Sequence, residues 1–163
     1  MTVKITALPE AASILPTDLL VTVIDPGGSP VTKKITAANF GPQFHPLTTL
    51  LTSTSWDGDA FSTTAKTLID LSAVFSAPAG IKAVSIIVKV TDSGSAGTDT
   101  YLILDPTNGA GVGASFSPMP VDSRRARYVA TIPCDANGDI YYQVVASGAG
   151  TFTIILQING YWI

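Results

Sequence analysis

From residue 140 to residue 161 apolar and polar positions alternate with a period of two, the spacing at which an extended chain turns successive side chains to opposite faces. Ile140, Tyr142, Val144 and Ala146 alternate with Tyr141, Gln143 and Val145. Residues 147–150 (SGAG) interrupt the run, and residues 151–158 resume it with β-branched types. The pattern predicts two long strands joined as a hairpin. Phe152, Ile154, Leu156 and Ile158 fall on one face of the second strand, and Ile155 sits among Thr151, Thr153 and Gln157 on the other. A strand so rich in Ile and Phe is central, covered by a second sheet or by another chain. Similar runs near residues 66–71, 81–91, 100–104 and 128–132 are separated by Gly, Pro, Asp, Asn and Ser, which are turn formers. Six or more short strands at this spacing predict an all-β fold, a jelly-roll-like β-sandwich over residues 61–163.

The front of the chain has a different texture. Residues 19–24 (LLVTVI) read as a strand, residues 25–30 (DPGGSP) as a loose loop and residues 31–35 (VTKKI) as the returning strand. Thr36 then suits the N-cap of a single helical turn through Phe40, closed by Gly41 and Pro42. Residues 47–60, rich in Thr and carrying Leu47, Leu50, Leu51 and Trp56, read as a connector that packs down onto a neighbouring domain.

Three segments of this front part occur in order: Lys4-Ile5-Thr6-Ala7-Leu8-Pro9, Asp18-Leu19-Leu20-Val21-Thr22-Val23, and the run from Val31 through Lys33, Lys34 and Ile35 to Phe40. Together they resemble the opening module of bacteriophage tail-fibre and virion structural proteins. The resemblance covers residues 1–46, about a quarter of the chain. It implies a virion location after synthesis in the host cytoplasm, and an attachment role for Leu8, Pro9, Leu19, Val21, Val23, Lys33, Lys34, Ile35 and Phe40. The partners it implies are other virion proteins, of capsid or tail.

Composition changes the picture in one respect. Apolar residues make up 46% of the 163 residues and charged residues only 13%, about half the usual ~25%. Such a surface needs subunit contacts to hide it. A homo-oligomer is therefore expected, with Phe152, Ile154, Leu156, Ile158, Tyr161 and Trp162 at its interface. Resemblance to phage fibres implies threefold symmetry. A formal net charge of −3 argues against nucleic acid as a partner held by overall charge. No apolar run is long enough to insert in a membrane as a helix, and the first residues do not read as a signal peptide. The single Cys134 excludes a disulfide within one chain.

Candidate chemistry is sparse. The only histidine, His45, would have to serve any Ser-His-Asp triad, and no Gly-x-Ser-x-Gly elbow accompanies it. Residues 135–139 (DANGD) space carboxylates as a calcium loop does, but glycine comes fourth instead of sixth and Ala146 stands where the bidentate Glu belongs. Asn137-Gly138 between strands is first a turn signal. Asp57 and Asp59 beside Trp56 offer a carboxylate pair for glycoside hydrolysis, although Asp-Gly-Asp is equally a solvated turn. Arg124, Arg125 and Arg127 form the sole basic cluster, suited to an acidic partner, an anionic glycan, or the protein's own aspartates across an interface. The expectation is a non-catalytic virion structural protein without metal or cofactor. The alternative is a carbohydrate-binding receptor module using Trp56, Tyr101 and the three arginines on a host-surface glycan. A glycan depolymerase comes third.

Overall fold

The period-two segments fold as antiparallel strands. A computed structural model describes residues 19–24, 31–36, 41–53, 65–94, 100–111, 113–145 and 151–163, and the chain divides into two units, residues 1–43 and 44–163. In the first unit β1 (Leu19–Ile24) pairs with β2 (Val31–Thr36), placing Val21 opposite Lys34 and Thr22 opposite Lys33.

The second unit contains β3 (Phe44–Thr52), β4 (Thr67–Ile69), α1 (Leu71–Phe75), β5 (Ala83–Asp92), β6 (Tyr101–Asp105), β7 (Ala114–Phe116), β8 (Arg125–Pro133), β9 (Ile140–Val145) and β10 (Phe152–Trp162). Two four-stranded sheets result, ordered β3-β10-β5-β8 and β4-β9-β6-β7, with every pair antiparallel. Each sheet turns one face inward. Val84, Ile86, Val88 and Val90 of β5 meet Leu102, Leu104, Ile140, Tyr142 and Val144 of the other sheet in one buried core. Each aliphatic side chain so buried contributes about 1.5–3 kcal/mol.

Three expectations are corrected by this arrangement. The strands over residues 140–145 and 152–162 are not a hairpin, because β9 and β10 lie in different sheets. Their matching alternation arises because both face the same core, from opposite sides. Phe152, Ile154, Leu156 and Ile158 are buried within the chain itself, so the second sheet covers them and they are not available to a sister chain. Tyr161 packs against the core with its ring stacked 5.5 Å from His45, and Trp162 tilts against Phe44 at 4.5 Å. Thirdly, the region read as connector holds most of β3, an edge strand whose Leu47 and Leu51 pack against the core. Pro46 is tolerated there because an edge strand has one side free of ladder bonds.

Local chemistry sets the remaining boundaries. Asp70 caps α1 by accepting from the Ala73 N–H at 2.9 Å, and Ser76 ends it in the left-handed region at φ 57°. α1 buries Leu71 and Phe75. At the bulge between Ile158 and Gly160 the Phe44 ring lies over Gly160, where an added Cβ would collide with the ring. An aromatic laid across a strand glycine restores the packing that the missing side chain forfeits.

Candidate functional site

β8 carries the sequence RARYVATIP, and its pairing with β5 sorts these residues by face. Ala126 and Ile132 are buried, and Tyr128 is anchored on the inner side by its hydroxyl, which donates to the Ser117 carbonyl at 2.7 Å, and by its tilted contact with Phe116. Arg125, Arg127, Val129 and Thr131 alternate with these and are exposed, Val129 at 63%. Across the ladder Arg125 stands opposite Thr91, Arg127 opposite Lys89 and Val129 opposite Ile87. On the far side of β5, Lys89 pairs with Ile155 and Ile87 with Gln157.

The outer face of this sheet thus presents a cationic row beside an apolar one. Arg127 and Lys89 are like charges directly opposite, an arrangement that destabilises a sheet. The Lys89 ammonium turns away from its neighbour and donates to Gln157 Oε1 at 2.6 Å. Among the described residues no carboxylate stands on this face. The described ion pair, Lys66 with Asp105, belongs to the other sheet.

Beyond the far end of β8 the charge reverses. Asp135 Oδ1 accepts from the N–H groups of Asn137 and Asp139, both at 2.9 Å, and Gly138 closes the turn at φ 93°. Asp139 Oδ1 accepts from the Leu71 N–H at 3.0 Å. Burial, and then the neighbouring charges of Asp70 and Asp135, push the Asp139 carboxyl above the usual carboxylate range against the pull of the Leu71 N–H. Burial beside Asp135 and Asp139 pushes the Cys134 thiol up to about 12, so it stays protonated and unreactive at neutral pH. β8 therefore has opposite charges at its two ends, arginines where it begins and aspartates just after it leaves the sheet.

On the second sheet the Lys66 ammonium donates to Asp105 Oδ2 at 2.7 Å and to the carbonyls of Gly109 and Gly111 at 2.6 and 3.2 Å. Asp105 Oδ1 accepts from the Thr107 N–H at 2.8 Å and its hydroxyl at 3.1 Å. Burial alone would raise the Asp105 carboxyl, but the Lys66 and Thr107 hydrogen bonds outweigh it and hold it below the usual range. This cluster shapes the glycine-dense segment at residues 108–111.

The residues singled out from sequence do not converge. Arg125 and Arg127 lie on the outer face of the first sheet, with exposed Arg124 just before them, whereas Tyr101 lies half-buried on β6 of the second sheet. Arg125 and Arg127 therefore belong to one sheet and Tyr101 to the other. Leu19, Val21 and Val23 fall in β1, and Lys33, Lys34 and Ile35 in β2. Leu8, Pro9, Phe40, Trp56, Asp57 and Asp59 lie outside the described residues. His45 sits exposed on edge strand β3, its ring on Tyr161. Lys89 and the Lys66–Asp105 pair escaped sequence reading, because their partners are set by strand pairing between distant segments. No family model, curated protein or solved structure matches the chain.

Proposed function

We propose that this chain is a non-catalytic structural protein of a bacteriophage virion, a short fibre, spike or decoration protein whose sandwich is a jelly roll. The observation that carries the reading is the strand order. Counting from β3, the first, eighth, third and sixth strands form one sheet and the second, seventh, fourth and fifth form the other. That order supports the jelly-roll reading, in which two Greek keys wrap into two antiparallel sheets, an architecture used by viral capsid and lectin domains. The resemblance of residues 1–46 to phage attachment modules supports the same setting from an independent part of the chain. In this reading Leu8, Pro9, Leu19, Val21, Val23, Lys33, Lys34, Ile35 and Phe40 bind a capsid or tail protein, and residues 44–163 form the projecting body. The role is mechanical: a rigid all-β body, tied down at one end, self-associating without disulfides.

One observation favours the carbohydrate-binding alternative. Tyr101, Ile103 and Tyr141 stand partly exposed on β6 and β9, the two central strands of the second sheet, where aromatic faces can stack on sugar rings. The division of labour separates the readings. Full-length protein added to particles that lack it should bind them, and a fragment of residues 44–163 should not, while remaining folded by its melt. Binding by the fragment would place the contact on the sandwich instead.

A further inference from the structure

We infer that two copies of this chain pair antiparallel through the free edge of β8, about a twofold axis at Val129, joining their sheets into one. The inference rests on the sandwich alone, and its twofold axis departs from the threefold symmetry that resemblance to phage fibres implies. Among the described residues β5 is the only strand paired with β8, so one edge of it carries no strand.

The phase of the ladder identifies which groups face that edge. Cys134 N–H donates to the Lys82 carbonyl at 2.8 Å, and Ala83 stands opposite Pro133. Antiparallel pairs alternate between bonded and non-bonded. Pro133 with Ala83 is therefore a non-bonded pair, and Ile132, Ala130, Tyr128 and Ala126 spend their backbone groups on β5. Arg125, Arg127, Val129 and Thr131 then point their N–H and C=O groups outward, and Pro133 offers its carbonyl alone. This edge has four consecutive donor sites and no proline until its last position, whereas the opposite edge of the sheet, β3, is interrupted by Pro46.

A second copy is the occupant that the charges select. Centring the axis on Val129 sets Val129 against Val129, Arg127 against Thr131 and Arg125 against Pro133. No arginine then faces an arginine. The basic start of each strand meets the end of its partner, where Asp135 follows two residues after Pro133, at a diagonal that long side chains span. An axis at Arg127 would set that residue against itself, and a parallel pairing in register would stack all the arginines. The exposed Val129 side chains would meet at the axis, and Arg125 of each copy would lie diagonal to the partner's Asp135.

The test uses the full chain. Mass measurement in solution should give a dimer that weakens as salt is raised. Bonded antiparallel neighbours have Cα atoms about 5.5 Å apart, within the range a disulfide spans. Val129→Cys should therefore form a covalent dimer on mild oxidation, while wild type, whose Cys134 thiol stays protonated, should not. Val129→Pro removes an outward N–H without touching the ladder to β5, so it should give monomer at concentrations where wild type is fully dimeric, with its cooperative melt retained. Arg125→Glu should raise the dimer Kd about tenfold or more. If Val129→Pro fails to fold, the Val129→Cys cross-link still decides. A monomer at several hundred micromolar, an odd-numbered oligomer, or a dimer that Val129→Cys does not cross-link would overturn the proposal.

Discussion

A chain that begins at Phe44 should melt in one cooperative transition close to that of the same unit within the full-length chain, and a chain that begins at Ser53 should not. The difference is β3. Leu47 and Leu51 pack against the core from that strand, and losing two partly buried leucines costs about 3–5 kcal/mol, a large part of the roughly 5–15 kcal/mol that holds an ordinary domain together. The loss is also structural. Without β3 the eleven residues of β10 become an edge, and Gly160 and Trp162 lose the Phe44 ring. A long apolar edge is a template for aggregation. Circular dichroism melts with light scattering on the two fragments check this, and equal melting temperatures would show that β3 is peripheral.

Replacing Lys66 by Met should destabilise the protein by about 3–5 kcal/mol, the usual consequence of leaving one member of a buried ion pair alone. The Lys66 and Asp105 side chains are 9% and 4% exposed, so water reaches neither well. Thr107 would still donate to Asp105 Oδ1, but Oδ2 would keep its charge without a partner, and the carbonyls of Gly109 and Gly111 would lose their donor. Amide exchange over residues 106–111 should quicken alongside the fall in melting temperature. Acid provides a second check with a definite sign. Because the Asp105 carboxyl is held below its ordinary value, its contribution is complete above the unfolded value of about 3.9 and disappears as pH falls through the folded one. Wild type and Asp105→Asn should therefore converge in acid and differ at neutral pH. Denaturant melts that show no difference at pH 7 would contradict the role given to the pair.

The sandwich was legible wherever one strand face is buried and the other is not. In β9 and β10 alternation marks the inner residues directly, because burial acts on each strand separately. It does not say which strand lies beside which. β9 and β10 share the same pattern for the reason that misled the hairpin reading: their inner faces address one core from opposite sheets. Apolar excess misled in a related way, since Phe152, Ile154, Leu156 and Ile158 carry the signature of any covered surface and the cover turned out to be the chain's own second sheet. β3 hid behind Pro46 and its threonines, residues that an edge strand tolerates and a central strand does not. The arginine cluster was visible as composition. What the structure adds is Lys89 opposite Arg127 and aspartates just beyond the other end of the strand, relations created by pairing and invisible in a linear reading.

The virion assignment is open to one direct measurement. Under the proposed role, phage particles from cells that produce this chain, purified by density and washed, should contain the protein in a constant ratio to the major capsid protein by mass spectrometry, and antibody against residues 44–163 should label one defined place on them in electron micrographs. Abundant protein in the infected-cell lysate, with none in the washed particles, would contradict the account.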